Sequence, residues 1–164
     1  MAKPVLTGSL DNAGHPVIKI SVYGIDPKFQ KEFEALVDTG FTGFLMMPLT
    51  ESFPLALTLY GTSSWTLADG SSQPKLLAFG AVILGEEHTH GVIVLEPNAA
   101  RPLVGMEFLR KTKRALVLNK AGCALVDEDF LSEAVKSAAA AVRDQEPPAS
   151  PDATAPPAMT ATQK

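Results

Sequence analysis

Ala35-Leu36-Val37-Asp38-Thr39-Gly40-Phe41-Thr42-Gly43-Phe44-Leu45-Met46-Met47-Pro48 is the most informative segment of the chain. It begins as a strand. Phe33, Ala35 and Val37 alternate with Glu32, Glu34 and Leu36, so one face is better covered than the other. That strand runs directly into Asp38-Thr39-Gly40, and an apolar run resumes at Phe44. A simple surface turn rarely has hydrophobic residues this dense on both sides. Gly40 has no Cβ, so the backbone can turn closely beneath the carboxylate. Turn N–H groups can hold the carboxylate in place. The tripeptide alone is weak, since a given tripeptide occurs by chance in roughly a few per cent of chains this long. The flanking pattern carries the reading.

Outward from this segment, the chain reads as short strands and turns. Val17 to Tyr23 is a β-rich run after the turn Asp11-Asn12-Ala13-Gly14. Leu57 to Tyr60 and Ser64 to Leu67 flank Gly61. Asp69-Gly70 is a hairpin signal between Trp65–Leu67 and Lys75–Phe79. Ala81–Leu84 and Gly91–Leu95 surround Gly85-Glu86-Glu87, and Leu116–Leu118 and Cys123–Val126 surround Asn119 to Gly122. Such a series predicts an all-β barrel or sandwich rather than a parallel sheet with crossover helices. A short helical pattern follows the apolar pair Leu103-Val104 and Gly105.

From 127 to 143 the pattern is that of a C-terminal surface helix. Asp127 can cap it, Glu128 and Asp129 suit its positive end, and apolar residues recur every three or four positions. The segment 144–164 is rich in Pro and Ala and lacks aromatic residues. It cannot bury enough apolar surface to offset its ordering entropy, so it reads as a disordered tail. The folded domain is placed at 1–126.

Composition narrows the function. Of 164 residues, 46% are hydrophobic and 20% charged, so a packed core is feasible; the net charge is -4. That balance offers no electrostatic footprint for nucleic acid. The densest basic run, Arg110, Lys111, Lys113 and Arg114, reads as a solvated helix end. One cysteine, Cys123, excludes an intrachain disulfide, and its apolar neighbours make it a buried core residue. Met1 to Gly8 shows no secretory h-region, and the apolar run Leu76 to Leu84, broken by Gly80, falls short of the ~20 residues of a spanning helix. The expectation is a soluble cytoplasmic protein without membrane contact.

Asp38-Thr39-Gly40, the Asp69-Gly70 hairpin and Leu103-Val104-Gly105, in this order, resemble the retropepsin-like aspartic proteases, the bacterial single-domain members above all. The resemblance covers about residues 16 to 126. It implies a closed β-barrel with a short helix, Asp38 as the catalytic carboxylate, and Thr39 and Gly40 supporting its loop. Leu67, Asp69, Gly70 and Ser71 would form the substrate-covering flap, and Leu103-Val104-Gly105 would thread beneath the Asp38 loop. Departures are visible. Phe41 stands where many members carry Ala or Ser, and a bulky ring there would narrow a subsite or pack at the dimer seam. Glu107 stands where viral enzymes usually have Asp or Asn, and the flap tip has one Gly.

Chemistry of this kind uses two carboxylates that share a proton, one acting on water and the other on the scissile carbonyl. The chain holds no second Asp-Thr-Gly or Asp-Ser-Gly. The second carboxylate is therefore expected from a second copy, in a homodimer that places Asp38 against its mate. Peptide or protein is the expected substrate, and no metal or organic cofactor is implied. The rival readings are a non-catalytic module that grips extended peptides by strand addition and a dimerisation domain with a vestigial loop. His88 and His90 fall on one face of a strand, yet with Glu86 they lack further ligands at recognised spacing, and His15 stands alone. They read as part of a solvated hairpin. Ser63-Ser64 and Ser71-Ser72 lack a credible His and Asp constellation.

Overall fold

In the computed structural model, residues 5–66, 70 and 72–143 are described. Leu67, Asp69 and Ser71 of the expected flap, and the expected disordered tail, lie outside the described residues. Ten strands form in order: β1 (Leu6–Leu10), β2 (Pro16–Tyr23), β3 (Lys31–Val37), β4 (Leu45–Pro48), β5 (Thr58–Thr66), β6 (Ser72–Leu84), β7 (Glu87–Glu96), β8 (Leu103–Val104), β9 (Arg114–Asn119) and β10 (Gly122–Asp127). Among the described residues the α-helices are α1 (Leu49–Ser52) and α2 (Met106–Thr112), between strands, and α3 (Glu128–Arg143), after the last strand.

The strands lie side by side in the order β5-β6-β7-β4-β8-β3-β2-β1-β10-β9. A further pairing of β2 with β6, Ser21↔Ile83 through Tyr23↔Ala81, turns the sheet back on itself. Strands β2, β3, β8, β4, β7 and β6 thus form a ring of hydrogen-bonded neighbours. The fold class is all-β, as the turn-punctuated pattern predicts. Only β3–β8 and β4–β7 run parallel. Alternation fills the interior. Phe33, Ala35 and Val37 of β3 point inward while Glu32 and Glu34 stay exposed. Phe44, Leu45, Met47, Ile93, Val104, Phe108 and Leu125 complete the most deeply buried layer. Cys123 is buried, its thiol donating weakly to the Ser9 and Val17 carbonyls.

Several local features differ from the pattern read in the sequence. The segments on either side of Gly61 are one strand, β5, with a register shift between Leu59 and Gly61. Gly61 has φ +148°, which side chains rarely adopt, so it marks a bulge rather than an end. Gly80 does not interrupt β6. A Cβ there would stand 2.8 Å from the Tyr23 carbonyl oxygen, so the missing side chain lets β2 and β6 approach. Strand β1, which carries no strong signal, is defined by its partners β10 and β2. The basic run is not a free helix end: the Arg114 side chain is buried and donates to Glu87 (2.8 Å), and Lys111 pairs with Glu107 (2.9 Å). Asp127 accepts from the Asp129 N–H (2.9 Å), capping α3. Among the described residues no helix is long and apolar enough to cross a membrane.

Phe44 is 1% exposed and meets Phe108 with ring centroids 5.7 Å apart. Phe44→Ala is expected to destabilise the domain by about 3–5 kcal/mol. Phe79→Ala, at an exposed ring, should cost far less. Paired thermal and denaturant unfolding curves check the contrast.

Candidate active site

Strand β3 carries the chain to Asp38, and β4 takes it away after Phe44. The two-residue strand β8 lies between these limbs. Leu36 and Val37 pair in parallel with Leu103 and Val104, while Leu45 and Met46 pair antiparallel with Val104 and Leu103. The Asp38 N–H donates to the Val104 carbonyl (2.9 Å), and the Gly105 N–H to the Phe44 carbonyl (3.2 Å). The loop also caps α2. A helix leaves its first N–H groups without intrahelical partners. Here the Met106 N–H donates to Phe41 (2.8 Å), and the Glu107 N–H to the carbonyls of Thr42 (3.2 Å) and Gly43 (3.3 Å).

This arrangement needs glycine at 105. A Cβ there would stand 2.3 Å from the Phe41 carbonyl oxygen and 2.4 Å from that of Gly43. Both are backbone atoms that serve α2, so neither can move aside freely. Leu103, Val104 and Gly105 are therefore brought against the Asp38 loop.

Asp38, Thr39 and Gly40 are exposed. One Asp38 carboxylate oxygen, Oδ1, accepts from the Gly40 N–H (2.8 Å). A Cβ on Gly40 would stand 3.2 Å from that same oxygen, a tight approach. The local hydrogen bond orients the carboxylate of an exposed residue. The Thr39 hydroxyl makes no hydrogen bond among the described residues.

Phe41 takes a different place from the one its bulk suggests. It is 7% exposed, covered by its own chain. The ring lies over Gly43 and Gly105, where Cβ atoms would come within 2.5 and 2.6 Å of it. Trp65 of β5 packs against it, with centroids 5.9 Å apart and planes at 34°. The β5–β6 hairpin continues past Trp65↔Gln73 and Thr66↔Ser72 to Gly70, at φ +81°. Near its turn end the hairpin thus leans, through Trp65, on the Asp38 loop of the same chain.

A cavity of about 380 Å³ opens beside Asp38. Leu36, Val37, Asp38 and Thr39 form one side, His15 and Pro16 another, and Leu116 and Leu118 of β9 the third. Sequence reasoning left His15, Leu116 and Leu118 outside the site, because strand pairing brings them there: β2 with β3 for His15, and β1 with β10 and β10 with β9 for Leu116 and Leu118. His15 is not alone. Its Nδ1 lies 3.3 Å from Asp11 Oδ2, and Arg101 forms an ion pair with the same carboxylate. Asp11 Oδ1 accepts from the Ala13 (3.0 Å) and His15 (2.9 Å) N–H groups. Chiefly the Arg101 guanidinium, and then these backbone donors, hold the Asp11 carboxyl well below the usual carboxylate range. The signal in the sequence was an Asp opening a tight turn that ends in His-Pro.

His88 and His90 do share a face, as their spacing predicts. They have partners there: Tyr23 OH lies 2.9 Å from His88 Nδ1, and the His90 ring stacks on Phe79. Among the described residues no three His, Cys, Asp or Glu side chains are grouped to hold a metal ion.

No family model matches the chain, and no curated protein matches it in sequence. Solved structures do. A retropepsin-like aspartic protease from Rickettsia conorii superposes with a TM-score of 0.56 at 14% identity, over 77% of this chain and 94% of that one. The EIAV protease, in complex with the inhibitor HBY-793, superposes with a TM-score of 0.52 at 12% identity, over 67% and 99%. The chain carries a retropepsin-like fold. At such low identity the likeness concerns backbone architecture alone. In the retropepsin-like fold of this chain, β8 pairs with both limbs of the exposed Asp38-Thr39-Gly40 loop, and Trp65 of the β5–β6 hairpin packs on Phe41 just beyond it.

Gly105→Ala should destabilise the protein by about 1–3 kcal/mol through overpacking against backbone, read as a lower Tm. Asp11→Asn is expected to lower Tm at neutral pH. A depressed carboxyl contributes stability above its ordinary value of 3.8 and loses it as pH falls toward the lowered one. The Tm gap between wild type and Asp11→Asn should therefore narrow as pH drops below that ordinary value.

Proposed function

We propose that the chain is an aspartic-type endopeptidase that works as a homodimer, with Asp38 and the partner's Asp38 sharing one proton across a two-fold axis. One carboxylate draws a proton from water as the water attacks the scissile carbonyl. The other donates a hydrogen bond to the carbonyl oxygen. The observation that carries this reading is the exposed Asp38 carboxylate, oriented by the Gly40 N–H on a loop whose two limbs are clamped by β8.

Three further points support it. The chain holds a single loop of this composition, so a dyad requires two copies. The Thr39 hydroxyl is exposed beside Asp38 without a partner among the described residues, which suits a bond across the two-fold axis. The two solved structures with the same fold are, by their names, proteases. In this reading Thr39 and Gly40 shape the loop, and the hairpin through Gly70 covers an extended peptide. No metal or organic cofactor enters.

Asp38→Asn should fold with an unchanged Tm yet lose cleavage of an unfolded protein substrate by about 10³-fold or more. Specific activity of the wild type should also fall on dilution, in step with dissociation followed by sedimentation. Undiminished cleavage by Asp38→Asn would refute the assignment.

A further inference from the structure

Helix α3 presents an apolar stripe that its own domain does not cover. In sequence, Phe130, Leu131, Ala134, Val135, Ala138 and Val142 recur at three- and four-residue intervals, the spacing of one side of a helix. Phe130 is 61% exposed and Val135 59%, and Ala134 is also open to solvent. The main contacts of α3 are with β9 and β10, at its root. The Glu128 N–H donates to the Lys113 carbonyl (3.1 Å), and Asp127 caps the first turn. From Ser132 to Ser137 every residue is exposed, Ala134 and Val135 among them.

Two observations say what covers it. The first is place. Glu128, the first residue of α3, lines a surface cavity together with Thr39 and Leu116. Thr39 adjoins Asp38, so a second copy that brings its own Asp38 to this loop arrives beside the root of α3. The second is charge. The first half of the helix carries Glu128, Asp129 and Glu133, and the second half carries Lys136 and Arg143. Two such helices set antiparallel place the acidic half of one beside the basic half of the other; set parallel, they place like against like. A two-fold axis across the helices generates the antiparallel arrangement. A lipid surface fits less well, because helices that lie on membranes carry mostly Lys and Arg on the polar side.

We infer that α3 is a dimer clasp: the apolar stripes of two copies pair antiparallel about the two-fold axis and hold the Asp38 loops together. This rests on the homodimer reading above and adds to it a second contact area, outside the sheet. Ala134 is small between the larger Phe130 and Val135, which leaves room over it for a large side chain of the other helix. The clasp makes activity depend on a helix that contributes no residue to the cavity beside Asp38.

The test uses the full chain. Sedimentation velocity and Asp38-dependent cleavage are followed over a dilution series for wild type, Phe130→Glu, Val135→Glu and, on the opposite side of the helix, Ser132→Glu. The stripe variants should raise the dimer dissociation constant about tenfold or more, with cleavage lost on dilution and regained at high protein concentration. Ser132→Glu should follow the wild type. A second pair removes any ambiguity from misfolding. Asp129→Lys/Glu133→Lys and Lys136→Glu/Arg143→Glu should each dimerise poorly at low salt, and mixing them should restore the dimer. A wild-type dimer that the stripe variants leave intact, or a mixture no tighter than its components, overturns the clasp but leaves the Asp38 dyad standing. A wild type that cleaves through Asp38 as a monomer overturns both.

Discussion

The geometry around Asp38 depends on one close approach of backbone to backbone, at Gly105. There the chain leaves β8 and enters α2 while pressed against the Phe41 and Gly43 carbonyls. Those carbonyls have two tasks: they shape the Asp38 loop, and they accept the first N–H groups of α2. Because β8 pairs with β3 on one side and β4 on the other, the loop between them is held from below as well as at both ends. Any side chain at 105 would push these three elements apart together. A carboxylate on a loop so constrained is pre-positioned, which is what acid–base chemistry at a fixed distance asks of a protein.

The aromatic pair Phe41 and Trp65 extends that constraint upward. Phe41 fills the space left by two glycines, and Trp65 rests on it from the hairpin. The glycines at 43 and 105 and the ring at 41 are therefore parts of one packing solution, in which the ring occupies the volume that the glycines leave. The bulk of Phe41 is thus absorbed within one chain, and the wall of the cavity beside Asp38 is made by other residues: His15, Pro16, Leu116 and Leu118.

Much of this was legible in the sequence because it is local. The strand alternation at Phe33, Ala35 and Val37, the apolar flanks of Asp38, the short helix after Gly105 and the capped helix after Asp127 all depend on neighbours within a few residues. What escaped depends on distant ones. Strand β1 exists because β10 and β2 pair with it, and no periodicity of its own announces it. Gly61 and Gly80 both read as breaks between strand segments, yet one marks a bulge and the other a close crossing of β2. His15 reaches Asp11 locally, but Arg101, 90 residues from Asp11, and the far walls of the cavity meet them only on folding. The basic run at 110–114 reads as a solvated surface until Glu87 arrives to pair with Arg114.

The central claim is that two copies of Asp38 act as one catalytic unit. Mixing wild type with Asp38→Asn at constant total concentration tests it most directly, with cleavage of an unfolded protein as the readout. If each active unit needs both carboxylates and the two chains pair at random, activity follows the square of the wild-type fraction, so an equal mixture retains about a quarter of the wild-type rate. A linear decline, leaving about half the rate at equal mixing, would show that each chain cleaves by itself and would contradict the account.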